Sequence, residues 1–365
     1  MTQLRRPWLH LDWPLLLTLL PLLAISLLNL YSATRVAPKG LFSQQLIFYG
    51  LGTVLLVLGA SFDYRRLAKL AWPIYLGTVS LLVLVLAIGR TVNGSKRWLG
   101  LAMLGGQPSE LMKLALILIY ARLFASDPLD LQARPLRYAV MWHVLLAPPA
   151  LLILKQPDLG TALLCILVAA SMLVLVPLRG KVKAAVMGFD LSVATLVFLF
   201  GAKAYQKKRL LSFLHPENDP TGTGWHARQA ICAIGSGRLL GKGYLRGTQN
   251  QLQFLPEHWT DFPFAVWAEE WGLAGCVLLL GCYVVLILWA LGLARDARDR
   301  FGRYVAIGVA SLLFWHVAIN VAMVVGMAPV VGVTLPFLSY GGSSLLVTLF
   351  ALGLLGSISI RRYAY

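Results

Sequence analysis

Apolar stretches long enough to cross a bilayer recur along the whole chain, and this constrains the fold more than any other feature. The pattern predicts ten spanning helices at about residues 13–33, 42–62, 68–88, 109–125, 137–154, 158–177, 184–203, 263–293, 304–327 and 340–360. We therefore expect an all-α integral membrane protein in which residues 1–365 form one polytopic domain. The eighth segment exceeds the length that a bilayer needs, so we expect it to tilt or to extend into water.

The charge of the chain fits a membrane protein better than a nucleic-acid-binding protein. The net charge is +17, and spanning proteins concentrate Lys and Arg in their short cytoplasmic loops. With the N-terminus inside, the short inner loops and the ends hold 17 Lys and Arg, against 6 in the short outer loops. The sequence thus predicts that both termini are cytoplasmic and that no nucleic acid is bound.

One long polar segment, residues 204–262, separates the seventh and eighth predicted spans. The charge argument places this segment on the outer side of the membrane, and its aromatic residues and glycines favour a packed lid over a free tail. It carries seven Lys and Arg, including Arg209, against four acids. This balance suits either phosphate headgroups or a solvated surface.

The stretch TDFPFAVWAEEWG places three carboxylates at the edge of an apolar run, although the chain has only 15 Asp and Glu. Prolines on both sides keep Asp261 out of a helix, so it lies on a loop at the outer face. A partly desolvated carboxylate there suits a general base. Spacing alone favours a helix N-cap instead. Glu269 and Glu270 follow inside the helix, where the simpler role is a salt bridge to a neighbouring helix.

Two Pro-containing motifs open other predicted helices. In GQPSELMK, Ser109 has the position of an N-cap, while Glu110 and Lys113 are spaced to pair on one helix face. An internal ion pair and an anion-binding Lys113 are equally supported. In KQPDLGTALL, Asp158 is expected to cap the sixth span.

The motif LPFLSYGGSSLL opens the last predicted span. Its glycines, followed by Ser343 and Ser344, suit either a helix N-terminus that binds a pyrophosphate or a turn with Ser capping. Metal chemistry has weaker support. The spacing of the loop residues His215, Glu217, Asp219, His226 and His258 matches no ligand pattern, and the four cysteines indicate neither a zinc site nor a disulfide framework.

These segments, in this order, resemble the SEDS family of bacterial morphogenesis proteins over nearly the whole chain. The resemblance is carried by RWLGLAMLGGQPSELMK, KQPDLGTA, AIGSGRLLGKGYLRGTQNQLQFLPEHWTDFPFAVWAEEWG and NVAMVVGMAPVVGVTLPFLSYGGSS. The GTQNQLQFLPE stretch is more similar to the elongation branch, RodA, than to the division branch, FtsW. Two positions depart from the family pattern: Trp259 is bulkier than the usual residue, and Pro263 replaces Ile or Val and bears on where the next helix begins.

The resemblance implies a peptidoglycan glycosyltransferase of the bacterial inner membrane that polymerises lipid II. Asp261 matches the family's essential aspartate and would deprotonate the acceptor 4-hydroxyl while undecaprenyl pyrophosphate leaves. Arg97, Lys113, Arg209 or the turn at Ser343 would stabilise the leaving group. The wider set of predicted substrate-binding residues is Arg97, Glu110, Lys113, Asp158, Arg209, Ser343 and Ser344.

The resemblance also implies partners, and it leaves alternatives. The expected partners are a single-span class B penicillin-binding protein, other elongation-complex proteins, membrane lipids, lipid II and undecaprenyl-linked glycan. No metal ligands are assigned, although the chemistry leaves room for a divalent cation, Mg²⁺ or Mn²⁺. The competing functions are a lipid II flippase, a noncatalytic scaffold for the transpeptidase, and a division-type FtsW enzyme. A flippase would place its key charges near the midplane.

Overall fold

The structure, a computed structural model, describes residues 13–36, 40–92, 95–98, 106–125, 132–196, 204–215, 222–252, 254 and 259–362. Within these residues the chain is mostly helical. The helices are α1 Trp13–Thr34, α2 Leu41–Ser61, α3 Tyr64–Ile88, α4 Pro108–Phe124, α5 Pro135–Lys155, α6 Leu159–Leu175, α7 Gly180–Leu196, α8 Ala204–Leu214, α9 Thr223–Gly237, α10 Thr248–Gln251, α11 Pro263–Asp296, α12 Arg300–Val324 and α13 Gly342–Arg361. The strands are β1 Arg90–Val92 and β2 Ser95–Trp98.

A helix lies in each of the ten predicted apolar segments, and seven helices are long and apolar enough to cross a membrane: α1, α2, α3, α5, α11, α12 and α13. The helices α4, α6 and α7 are 17 residues long. The structure therefore supports a multi-pass membrane protein with seven candidate spans in the described chain. The last residues of the seventh predicted segment, 197–203, lie outside the described residues.

The mostly helical chain also contains one short β-hairpin, which the sequence analysis did not predict. Strands β1 and β2 pair antiparallel between α3 and α4, with Val92 opposite Ser95. The sequence carries the cue, since the Asn-Gly pair between the strands is a preferred hairpin turn and the flanking Thr91 and Val92 are β-branched. The hairpin matters because β2 carries Arg97.

The eighth predicted segment is broken, and its expected tilt or extension into water stays a prediction. Inside α11 the backbone leaves the helical conformation at Gly272, where φ is +63° and ψ is −162°. A Cβ at this position would lie 2.3 Å from the amide nitrogen of Gly241, so only glycine fits against the loop there. The long element is thus two helical pieces with a loop packed at their junction.

The centre of the bundle is α4, whose residues are almost all buried and which packs against α3, α5, α6, α12 and α13. The helices α2 and α13 approach very closely. A Cβ at Gly353 would lie 2.4 Å from the carbonyl oxygen of Leu56, and a Cβ at Gly59 would lie 3.1 Å from that of Phe350. Such small residues allow two backbones to pack without side chains between them.

The two ends of the bundle differ in their polar chemistry. At one end, called here the Asp299 end, Asp299 accepts hydrogen bonds from Tyr64 and from the amide of Gly302, and Arg65 lies 3.5 Å away. Arg361 also pairs with Asp63 at this end. The opposite end, called the Asp261 end, holds the polar residues described next.

Candidate active site

Asp261 is tied to the loop before α13 through one buried amide. The side chain of Asn320 donates to the carbonyl oxygen of Asp261 at 3.0 Å and to that of Val333 at 2.7 Å. A Cβ built at Gly332 would lie 3.7 Å from Oδ2 of Asp261, so a residue without a side chain faces this carboxylate. The backbone of Asp261 is therefore fixed, while its carboxylate lies over a glycine.

The N-cap alternative for Asp261 is wrong by position. Phe262 is the N-cap residue of α11, without a side-chain capping bond, and Pro263 is the first helical residue. Proline fits the first position because the amide it lacks would have no helical partner there. The side chain of Asn29 donates to the Pro263 carbonyl at 3.0 Å, which fixes the start of the helix from α1.

A buried charged cluster lies between α4 and α12. Nζ of Lys113 lies 2.8 Å from Oε2 of Glu110 and 2.8 Å from Nε2 of His316. The exposed fractions are 2% for Lys113, 7% for Glu110 and 3% for His316. The ion-pair alternative is thus present in the structure, and His316 adds a third member that the sequence motif did not reveal.

Hydrogen bonds join this cluster to the start of α13. Nδ1 of His316 contacts the carbonyl oxygen of Thr334 at 2.8 Å, and the Thr334 hydroxyl lies 3.1 Å from that of Ser344. The Ser343 hydroxyl accepts from the amide of Gln107 at 3.3 Å. The Ser-capping alternative is wrong, because Gly341 is the N-cap of α13 and no side chain caps it.

Gln107 also connects α4 with α6. Its side-chain amide donates to Oδ2 of Asp158 at 3.0 Å, and Gln107 rather than Ser109 is the N-cap residue of α4, because Pro108 takes the first helical position. Asp158 caps α6 as predicted, by accepting from the amide of Thr161 at 3.2 Å. Arg97 lies 3.8 Å from the same carboxylate.

Seven of the eight predicted site residues are therefore joined by described contacts at the Asp261 end. Arg209 lies on α8, which packs against α9. The site roles of all eight residues stay predictions. The neutral residues that link the others, Gln107, His316 and Asn320, were missed by the sequence analysis. For His316 and Asn320 the usable signal was a polar residue inside an apolar run, which is costly in a membrane unless it has a partner.

The two glutamates of the opening motif bind the loop, and Glu270 also bonds to the candidate spanning helix α1. Glu269 is fully buried and accepts from Lys242 at 2.6 Å, from the Thr248 hydroxyl at 3.0 Å and from the Gln249 amide at 3.2 Å. Glu270 accepts from Ser32 of α1 and from loop backbone amides. Together they hold residues 242–249 against the first piece of α11, the helix that begins at Pro263 just after Asp261.

Other polar residues give no metal centre within the described part of the chain. There, no group of three or more His, Cys, Asp or Glu residues could hold a metal ion. Glu217, Asp219 and His258 lie outside the described residues. Asp190, a costly acid in the seventh predicted span, has a partner, since Nε2 of His143 lies 3.1 Å from its carboxylate.

Fold and site together define a multi-pass membrane protein with a polar site at one end of its bundle. Comparison with known proteins shows to which family of membrane proteins the chain belongs. Residues 8–364 match the family model of FtsW, RodA and SpoVE, described as cell cycle protein. Peptidoglycan glycosyltransferase MrdB of Escherichia coli K12 is 40% identical over 353 residues, covering 97% of this chain and 94% of that protein. Proteins named as probable FtsW match at 36–38% identity.

Solved structures agree with this assignment. A chain from a peptidoglycan synthase complex, studied for the coordination of polymerization and crosslinking, matches with a TM-score of 0.83 and 33% identity, over 98% of this chain and 100% of that one. Rod shape determining protein RodA of Thermus thermophilus matches with a TM-score of 0.73 and 31% identity, over 98% and 99% of the two chains. The protein belongs to the FtsW/RodA/SpoVE family.

Proposed function

We propose that this chain is a peptidoglycan glycosyltransferase that polymerises lipid II into glycan strands during cell elongation. The observation that carries the proposal is the placement of Asp261, held by Asn320 beside a polar network at the end of a membrane bundle. A lipid-linked sugar has its reactive groups in water and its tail in hydrocarbon, so its chemistry belongs at such an end. The names of the relatives support the same activity.

Asp261 acts as the general base in the proposed reaction. Its carboxylate takes the proton of the acceptor sugar's 4-hydroxyl, and that oxygen forms a bond to the anomeric carbon of the donor. The bond from the anomeric carbon to the pyrophosphate oxygen breaks, and undecaprenyl pyrophosphate leaves with the electron pair. A single displacement inverts the anomeric centre.

The leaving group develops negative charge, and the proposal assigns its stabilisation to the polar network. Arg97 is the partly exposed cation of the network, and it donates to the carbonyls of Gln156 and Pro157 beside Asp158. Lys113 is buried between Glu110 and His316, so it acts on the site mainly by holding α4 and α12 together. Ser343 and Ser344 place the start of α13 near the same network, and Arg209 remains a candidate from the loop.

The proposed topology has ten spans, with the Asp261 end outside the cytoplasm and both termini inside. The Lys and Arg bias supports it, and so does the concentration of arginines at the Asp299 end. The segment 204–262 is then an outer loop that carries the catalytic aspartate. In this arrangement the site faces the leaflet where lipid II is polymerised.

Neither a resident metal nor a partner is needed to state the mechanism. The described carboxylates Glu110 and Asp158 are engaged by Lys113, Arg97 and Gln107, and the proposal assigns them no cation. The role of Mg²⁺ or Mn²⁺ is a question for assays with each ion and with a chelator. The proposed partner is a class B penicillin-binding protein, which the likeness to a chain of a peptidoglycan synthase complex supports.

The decisive experiment is reconstitution in liposomes with labelled lipid II and the cognate transpeptidase. We expect polymer ladders from the native protein and none from Asp261→Asn, because the amide cannot accept the proton. Asp296→Asn, the same change at an exposed site at the other end of α11, is the matched control and should keep the ladders. Equal ladders from Asp261→Asn would remove this residue as the base, and lipid II translocation without polymer would favour a flippase.

The elongation role is tested separately from the chemistry. Restoration of rod shape in cells depleted of their elongation polymerase would support it. Restoration of septation alone, in cells depleted of their division polymerase, would assign the chain to the FtsW branch instead.

A further inference from the structure

A groove at the end of the bundle opposite the candidate active site carries two arginines that pair with no carboxylate of the described residues. Its cavity of about 420 Å³ lies between α6, α11 and α12 and is lined by Leu175, Leu291, Ala294, Arg295, Arg303 and Ile307. We call it the Arg295–Arg303 groove. Helix α12 packs against both α6 and α11, so it forms the floor.

The two arginines lie where a lipid headgroup would lie. Arg295 is in the last turn of α11, and Arg303 is in the first turn of α12. Both helices are candidate membrane spans, so their adjoining ends are at the level of the membrane surface. Deeper in the groove the lining is apolar, and Leu175 and Leu291 are exposed, as expected of walls that face acyl chains.

The nearby acids are engaged elsewhere. Asp296 pairs with Arg362 at 3.7 Å, and Asp299 contacts Tyr64 and Arg65. Among the described residues neither Arg295 nor Arg303 forms an ion pair. Lys183 adds a further positive charge near the rim, since it donates to the carbonyl of Val174, one residue from Leu175. The groove therefore combines apolar walls with uncompensated positive charge.

We propose that the Arg295–Arg303 groove is a binding site for an acidic phospholipid. The phosphate lies between the two guanidinium groups, which suit its oxygens by charge and by hydrogen-bond geometry. One acyl chain lies along Leu175, Leu291 and Ile307. The second cavity at a helix surface is a weaker site because Arg122, one of its two arginines, already donates to the carbonyls of Ala68 and Lys69.

The test is native mass spectrometry of the purified full-length protein with phosphatidylglycerol or phosphatidylcholine added in detergent. We expect the native protein to retain phosphatidylglycerol preferentially. Arg295→Gln combined with Arg303→Gln should weaken that binding about 30-fold, since each basic residue contributes roughly a fivefold gain near anionic headgroups. Arg66→Gln combined with Lys69→Gln removes two exposed charges outside the groove and should leave binding unchanged.

Further arms keep the test decisive if the first variant folds poorly. Arg295→Lys combined with Arg303→Lys keeps the charges and should retain most of the binding. Inorganic phosphate at the same concentration as the lipid should fail to displace it, because phosphate lacks the chain that the walls contact. Equal retention of the two lipids, unchanged binding by the Gln pair, or displacement by inorganic phosphate would each overturn the proposal. Lipid binding is measured without polymerisation, so the result is independent of the proposed activity.

Discussion

Nζ of Lys113 and Nε2 of His316 lie 2.8 Å apart, although 203 positions separate them in the chain. An ammonium group can only donate, so Nε2 must accept. The carbonyl of Thr334, 2.8 Å from Nδ1, can also only accept. His316 is therefore the neutral tautomer with its proton on Nδ1, and it connects a charge on α4 with the loop that faces Asp261.

The charged cluster gives the first prediction. Lys113→Met should lower the free energy of unfolding by about 3–5 kcal/mol, because it leaves the buried Glu110 carboxylate without its cation. Lys113→Met combined with Glu110→Gln should recover much of this loss, since no charge is then left unpaired. Thermal unfolding in detergent, followed by intrinsic fluorescence, measures both variants. Equal unfolding temperatures for the single and double variants would mean that the two side chains are not coupled.

Asn320 gives the second prediction, which separates positioning from stability. Asn320→Ala removes the donors to Asp261 and Val333. We expect kcat for polymerisation to fall about 100-fold with a small change in KM, because a misplaced base affects the chemical step. Ser357→Ala, which removes a 2.6 Å hydrogen bond to the carbonyl of Phe62 at the other end, is the control. An equal loss of kcat in both variants would reduce the role of Asn320 to stability.

The loop junction gives the third prediction. Gly241 and Gly243 both have positive φ, +81° and +100°. A Cβ at Gly241 would lie 2.1 Å from the carbonyl oxygen of Glu270, whereas one at Gly243 would meet only the Arg246 side chain at 3.4 Å. Gly243→Ala should cost about 1–2 kcal/mol of stability from backbone strain alone.

Gly241→Ala should have a larger effect, because the loop must also move away from α11. Limited proteolysis compares how readily the loop between α9 and α11 is cut in each variant. We expect faster cleavage in Gly241→Ala than in Gly243→Ala. The same cleavage rate in both would show that the close approach to Glu270 does not hold the loop.

The exposed ion pair at the Asp299 end gives the fourth prediction. Arg65→Gln should change the free energy of unfolding by less than about 1 kcal/mol, since both partners are solvated. Asp299→Ala should cost more, about 0.5–2 kcal/mol, because it also removes the N-cap of α12. Chemical denaturation measures the difference. A larger loss from Arg65→Gln would contradict this ranking.

Long apolar runs made the existence of the helices predictable, because a backbone in hydrocarbon must satisfy its hydrogen bonds internally, as a helix does. The residues at which the helices begin and end were less predictable. Helix α3 begins at Tyr64 rather than near residue 68, since Asp63 caps it and the basic first turn lies at the membrane edge. The break at Gly272 could not be read from its neighbours, because its cause is the approach of Gly241, thirty-one residues earlier.

The candidate site was predictable only where its residues form local patterns in the sequence. Asp158 and the Glu110–Lys113 pair are local patterns that a helix end imposes. The links made by His316, Asn320 and Gln107 join residues far apart in the chain. A single neutral polar residue in a sequence does not indicate which residue it contacts. Spacing alone also favoured a capping role for Asp261. In the structure Pro263 is the first helical residue, so the N-cap position falls on Phe262 instead of Asp261.

The close contact of Gly59 with Gly353 has a consequence for biosynthesis. Helix α2 has its main packing partner in α13, which the ribosome makes much later. Until α13 is translated, α2 lies in the lipid with its small-residue face uncovered. A nascent or truncated chain that stops before residue 342 would thus remain an open bundle, with the glycine face of α2 exposed to lipid.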